Sequence, residues 1–208
     1  MKLGLLSDIH ADLAGLHRAL ALLQAHAVDK LVCAGDLIDG RTAGAGVVRY
    51  FSERQIPCVQ GNHDEWAVEP GSEHYRRLYA PDRRRDDLTE ESFEYLERLP
   101  QSLAFEVEDQ RVLIAHGAPW GNMNYVYPDG PRHIFQRVAH EAEADVMVLG
   151  HTHEPMFAQG AGVTIVNPGS VNPSRGSGTC AVLTLPTLEF TVYHLLTAEV
   201  YPCARIQF

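Results

Sequence analysis

Six short apolar runs in this chain each give way to carboxylate, imidazole or amide side chains, usually beside a glycine. Residues 3–6 lead into Ser7-Asp8-Ile9-His10, residues 31–34 into Gly35-Asp36-Leu37-Ile38-Asp39, and residues 56–59 into Gly61-Asn62-His63-Asp64. Residues 112–115 lead into His116-Gly117, residues 146–149 into Gly150-His151-Thr152-His153, and residues 163–166 into Asn167-Pro168-Gly169-Ser170. Runs of this length, bounded by turn residues, read as buried strands. Open α/β sheets bind ligands at the carboxyl ends of their strands. One such junction is an ordinary turn, but six of one chemistry define a rim. Glycines suit a rim because backbone passes close to the site there and adopts unusual dihedrals.

Between the first runs the apolar spacing is helical. Asp12 is placed to cap a helix carrying Leu13, Leu16, Leu20 and Leu23, and residues 43–54 read as a second helix. The resulting β-α-β-α-β order predicts parallel strands joined by right-handed crossovers, an α/β fold. From 65 to about 100 the pattern changes to a helical insertion, with Thr89 opening a capped helix whose first turn is acidic. Residues 103–107 and 111–115 form an expected hairpin, 133–144 a helix, and 179–185 with 189–195 a closing antiparallel pair. At 208 residues the chain is expected to be one domain, 1–208, including the insertion.

Charge narrows the function. Seventeen basic and 27 acidic residues give a formal charge of −10, which disfavours stable nucleic-acid binding. An anionic substrate stays admissible because bound cations invert the local field. No apolar run approaches the roughly 18 residues of a membrane span, so no membrane association is expected. The N-terminus turns acidic too early for a signal peptide, so the expected location is the cytoplasm. Cys33, Cys58, Cys180 and Cys203 form no C-x-x-C pair, which removes zinc-ribbon and dithiol redox readings.

Eleven histidines remain to be explained. Those at the strand ends keep company with carboxylates and amides and with no thiol. That donor mixture suits first-row divalent metals and fits calcium poorly. Asp8, His10, Asp36, Asn62, His116, His151 and His153 exceed what one tetrahedral ion takes, so two ions sharing a bridging ligand is the economical count. Two-metal sites serve in-line displacement at phosphorus.

Asp8-x-His10, Gly35-Asp36, Gly61-Asn62-His63-Asp64, His116-Gly117 and Gly150-His151-Thr152-His153 resemble, in order and spacing, the five motifs of the calcineurin-like metallophosphoesterases. Asn167-Pro168-Gly169-Ser170, followed by a terminal strand pair, resembles their small bacterial and archaeal phosphodiesterase branch. The resemblance implies a four-layer α/β/β/α sandwich of two mixed sheets flanked by helices. It implies two divalent transition-metal ions, with manganese expected and iron, nickel, cobalt or zinc as alternatives. Asp8, His10 and His153 are then expected to hold one ion, Asn62, His116 and His151 the other, with Asp36 bridging. It further implies that a bridging hydroxide attacks a phosphodiester, or also a phosphomonoester, of a small phosphorylated substrate. His63 is expected to stabilise charge or protonate the leaving group, with Asp39 orienting it and Asp64 as the competing orienter.

The chain departs from the serine/threonine phosphatase branch, whose G-D-x-x-D-R-G becomes Gly35-Asp36-Leu37-Ile38-Asp39-Gly40-Arg41 here. The expected phosphate-gripping arginine is displaced, leaving Arg41 as a partial substitute. The Arg83–Arg85 cluster reads as a solvated loop or a phosphate clamp. Trp120, Tyr125 and Tyr127 follow His116 and are placed to stack on a substrate's organic group or to pack within their loop, and Asn167–Ser170 reads as support beneath the site. Two rivals stay open: a protein or nucleotide phosphomonoesterase, and a non-catalytic scaffold on the same fold.

Overall fold

The computed structural model describes residues 1–40, 44–80 and 87–208. Its elements run β1 (Lys2–Leu6), α1 (Leu13–Ala25), β2 (Lys30–Cys33), α2 (Ala45–Arg54), α3 (Asn62–Val68), a π-helical turn (Tyr75–Tyr79) and α4 (Glu90–Glu97). There follow β3 (Ser102–Val107), β4 (Gln110–Ala115), α5 (Arg132–Ala142), β5 (Val146–Val148), β6 (Met156–Gly160), β7 (Val163–Asn167), β8 (Thr179–Thr184), β9 (Glu189–His194) and β10 (Ala204–Gln207). One sheet has the order β2-β1-β8-β9 and the other β10-β6-β7-β5-β4-β3. Both are mixed: β1 runs parallel to β2 and antiparallel to β8, while β4, β5 and β7 are parallel neighbours.

The alternation of side chains along the strands builds the layers. Leu3 and Leu5 of β1, Val32 of β2 and Ala181 and Leu183 of β8 meet Val112, Ile114, Val146, Val148 and Val166 from the second sheet. Their alternate neighbours Leu6, Cys33, Cys180 and Val182 face the other way, against Leu16 and Leu23 of α1, Phe51 of α2 and Leu96 of α4. Beyond the second sheet, Met147 and Ile165 pack on Phe135 and Val138 of α5. The result is a helix–sheet–sheet–helix stack. Each large apolar side chain so buried contributes about 2 kcal/mol, and a one-residue slip would turn every one of them to the wrong layer.

Local chemistry places the first helix where its spacing predicts. Asp12 accepts the Gly15 N–H at 2.8 Å, capping α1. Thr89 and Ser92 exchange hydrogen bonds across the first turn of α4. Glu108 and Asp109 take φ of 52° and 58° in the β3–β4 hairpin turn. Between residues 62 and 97 the described elements are all helical.

Residues 56–59 do not form the predicted strand. They make a single parallel bridge, Cys33 opposite Cys58, with the Cys33 N–H donating to Pro57 and the Val59 N–H donating to Cys33. Pro57 has no N–H with which to extend the ladder. The sequence pattern also passed over β6 and the edge strand β10, which pair with each other in parallel.

Candidate metal centre

The parallel strands of both sheets end on one side, and the segments that follow them are laced together by backbone hydrogen bonds. The Asp8 N–H donates to the Gly35 carbonyl at 3.0 Å and the His10 N–H to the Asp36 carbonyl at 3.0 Å. The Gly150 N–H donates to the His116 carbonyl, and the Val171 N–H to the Ser7 carbonyl. Asp8, His10, Asp36, His151 and His153 all have positive φ, between 45° and 66°. Each such non-glycine residue costs roughly 1 kcal/mol or more, and strain of this kind gathers at functional sites. A Cβ on Gly61 would land on the Asp36 carboxylate, and one on Gly150 would land on Ser7 Oγ, so both positions require glycine.

These turns bring all seven residues singled out for metal binding together. Ligand atoms of Asp8, His10 and His153 lie within 4.8 Å of one another, as do those of Asp8, Asp36 and His116. Asp8 Oδ1 is 3.1 Å from His153 Nε2 and 3.8 Å from His10 Nε2. Asp36 Oδ2 is 3.4 Å from His116 Nε2 and 3.7 Å from His10 Nε2, so its carboxylate stands between two groups of imidazoles. Asn62 Oδ1 is 3.0 Å from His116 Nε2, and the His151 ring lies 4.9 Å from the His116 ring. All but His153 are buried.

The hydrogen bonds select which nitrogens face inward. His116 Nδ1 meets the Ala34 carbonyl at 2.6 Å and His153 Nδ1 the Arg175 carbonyl at 2.9 Å. A carbonyl only accepts, so both rings carry a proton on Nδ1 and turn Nε2 toward the carboxylates. Among the described residues the polar atoms nearest His116 Nε2 are acceptors, Asn62 Oδ1 and Asp36 Oδ2. Burial opposes its charge, yet Asp36 and Asp8 push the imidazole up to about 10. Burial would raise the Asp36 carboxyl, but the charges of His116 and His63 hold it well below the usual range. Among the described residues, buried Asp8 Oδ1 and His151 Nε2 have no hydrogen-bond partner. Orphans of this kind are rare in a folded interior, and a carboxylate oxygen beside imidazole lone pairs is a fitting donor set for a divalent cation.

His63 sits on the edge of this cluster. Its N–H donates to Asp36 Oδ1 at 2.8 Å, its ring is 5.0 Å from that of His10, and its Nδ1 faces the Tyr79 hydroxyl at 3.3 Å. Burial lowers its imidazole to about 4, leaving it neutral at pH 7. Asp39 Oδ2 accepts Arg175 Nη2 at 2.8 Å, and its negative charge also acts on His63. Asp64 has a different task. Its two oxygens accept the N–H groups of Asp36, Leu37, Ile38 and Gly61, while burial and the Asp36 charge push its carboxyl up to about 7.

Support lies where the Asn-Pro-Gly-Ser turn predicts it. Asn167 Nδ2 donates to the Gly150 carbonyl at 2.7 Å, Asn167 Oδ1 accepts the Gly169 N–H, and Ser170 Oγ donates to the Asp8 carbonyl. Tyr125 stacks on His151 at 3.9 Å and Tyr127 lies parallel to it, whereas Trp120 packs with the α5 layer under Arg137. Arg41 and the Arg83–Arg85 cluster lie outside the described residues. Sequence reading missed Arg175 and Tyr79, because neither sits at a strand end or in a spaced motif.

Comparison with known proteins identifies the family and the fold. Residues 1–188 match the calcineurin-like phosphoesterase superfamily domain. A probable metallophosphoesterase of Methanothermobacter thermautotrophicus is 27% identical over 84% of this chain and 80% of its own length. A phosphodiesterase of Methanocaldococcus jannaschii is 22% identical over 81% of this chain and 83% of its own. A metallophosphoesterase from Sphaerobacter thermophilus has the same fold, with a TM-score of 0.75 at 22% identity over 96% of this chain and 90% of that one. With its α/β/β/α stack and carboxylate–imidazole rim, this chain belongs to the calcineurin-like phosphoesterases, a superfamily of metal-dependent phosphoric ester hydrolases.

Proposed function

We propose that this protein is a dinuclear-metal phosphoesterase that hydrolyses phosphodiesters, and phosphomonoesters as well. One observation carries the reading: the Asp36 carboxylate, held by the His63 N–H, stands between the Asp8–His10–His153 side and the Asn62–His116–His151 side. Asp8, His10 and His153 are assigned to one ion, Asn62, His116 and His151 to the other, and Asp36 to both. The bound pair supplies Lewis acidity that activates water and neutralises phosphate charge. Manganese suits a donor set with carboxylate, imidazole and amide but no thiolate, and iron, nickel, cobalt and zinc share that preference.

The protein's own groups shape the rest. His63 is neutral at pH 7, and with Nδ1 turned to the Tyr79 hydroxyl it keeps Nε2 for the substrate. There it donates a hydrogen bond to a phosphate or leaving oxygen, the usual duty of a histidine at such a rim. The Asp39 charge favours protonation of that ring. We take residues 1–208 as one domain in which the 65–100 insertion delivers Tyr79 to His63. The phosphodiesterase among the relatives supports the diester preference. The substrate in this reading is a small phosphorylated molecule met in the cytoplasm, and among the described residues no helix is long and apolar enough to cross a membrane.

The test is hydrolysis of p-nitrophenyl phosphate and of its bis-ester by protein stripped with chelator and reloaded with manganese. Activity in both assays, greater on the bis-ester and lost together with metal content in Asp36→Asn, is the expected result. A monoester-only enzyme is the phosphomonoesterase rival. A metal-replete but inert protein is a scaffold, and overturns the reading.

A further inference from the structure

Arg175 is a charged residue at the edge of the centre to which the reaction above gives no task. Its place is fixed from several sides. The Arg175 and Gly176 N–H groups close a turn onto the Asn172 carbonyl, and Asn172 Nδ2 donates to the His10 carbonyl at 3.2 Å. The Arg175 carbonyl in turn accepts His153 Nδ1 at 2.9 Å. The residue is therefore tied through its backbone to both His10 and His153, two of the groups assigned to one ion.

The side chain is aimed rather than merely packed. Its Nη2 meets Asp39 Oδ2 at 2.8 Å, where Asp39 is nearly inaccessible and the arginine side chain keeps 26% of its surface exposed. A guanidinium offers five N–H donors in a planar fork, and the Asp39 bond uses one. Among the described residues Asp39 is its one side-chain partner. Beside Arg175 opens a recess of about 340 Å³ lined by Thr152, His153, Glu154, Ser177 and Tyr201.

We propose that Arg175, aligned by Asp39, binds a non-bridging oxygen of the substrate phosphate, with the ester's organic group directed into the recess beside His153. The proposal rests on the phosphoesterase reading and assigns the phosphate-gripping role that the displaced G-D-x-x-D-R-G arginine leaves open. Charge-assisted bonds from a guanidinium fork are among the stronger positioning interactions available to a phosphate. Asp39 cancels the guanidinium charge, so the pair orients an anion without selecting a dianion over a monoanion. Removing the cancelling charge therefore shifts the balance toward dianionic monoesters.

The experiment compares manganese-loaded wild type, Arg175→Gln, Arg175→Lys, Arg175→Ala and Asp39→Asn. Affinity for inorganic phosphate is read by calorimetry, KM and kcat on the two nitrophenyl esters, and metal content in parallel. Arg175→Gln is expected to keep its metals while phosphate affinity falls and KM rises by about 10- to 100-fold on both esters, with kcat falling less. Arg175→Lys, which keeps the charge and the fold but loses the fork, shows the same direction with a smaller change. Asp39→Asn raises the ratio of monoester to bis-ester kcat/KM. In Arg175→Ala, millimolar guanidinium ion restores phosphate affinity, which a purely structural role would not permit. Unchanged phosphate affinity and KM in Arg175→Gln and Arg175→Lys overturn the proposal, and so does loss of metal in step with loss of affinity. If the wild type binds phosphate through Arg175 yet hydrolyses neither ester, the phosphoesterase reading falls and the anion site stands.

Discussion

His10 Nε2 and His153 Nε2 face each other at 3.1 Å. His153 keeps its proton on Nδ1, bound to the Arg175 carbonyl, so its Nε2 presents a lone pair toward His10 and toward Asp8 Oδ1. Two strained turns, with φ of 45° at His10 and 62° at His153, hold these nitrogens at that separation. Two imidazoles and a carboxylate oxygen thus converge on one point, a donor set that suits a divalent cation.

His63→Ala separates ligand from helper. His63 groups with His10 and Asp36 closely enough to be a ligand, yet it is assigned to the substrate instead. The variant should keep its full metal content and lose about 10²- to 10⁴-fold in kcat. Elemental analysis alongside steady-state kinetics checks this, and a variant that loses an ion makes His63 a ligand.

Asn167 touches no candidate ligand side chain but holds the Gly150 carbonyl and Thr152 Oγ1, on either side of His151. Asn167→Ala frees that segment to relax. Metal affinity should fall by about 10- to 100-fold, the usual cost of losing an outer support. Competition against a chelating dye measures it, and unchanged affinity removes Asn167 from the centre's architecture.

Asp64 acts on the backbone. Both of its oxygens receive N–H groups from the turn that carries Asp36. Asp64→Asn replaces one acceptor with a donor facing N–H groups, and should lower unfolding free energy by about 2–3 kcal/mol in urea titration. A stability equal to wild type would show that the turn holds without it.

Much of this arrangement was legible in the sequence because it repeats one local rule. A buried strand that gives way at once to a ligand-type side chain, in three of these four cases beside a glycine, recurs, so Asp8, Asp36, His116 and His151 announce themselves before any contact is known. The elements that escaped lack such a signature. Pro57 sits in an apolar run that reads as a strand and withholds the N–H that would extend it. The edge strand β10 alternates between half-buried and exposed positions, so its burial pattern is faint. Arg175 and Tyr79 reach the site through tertiary contacts with Asp39 and His63, at separations that no periodicity marks.

Proton release accompanies metal loading. In the metal-free protein Asp36 and Asp8, working against burial, hold the His116 imidazole up to about 10, and its Nδ1 proton is committed to Ala34. To become a ligand, His116 gives up the Nε2 proton, so loading at pH 7 should release roughly one proton from this ring, and affinity should rise with pH through the neutral range. Calorimetric titrations in buffers of different ionisation heat count the protons. Binding without proton release would take His116 out of the ligand set.

The central claim is that Asp36 stands between two cations, and anomalous diffraction from a manganese-loaded crystal tests it most directly. Two peaks are expected, about 3.5–4 Å apart, with Asp8, His10 and His153 around one, Asn62, His116 and His151 around the other, and the Asp36 carboxylate between them. A single peak, or two that Asp36 does not join, contradicts the account.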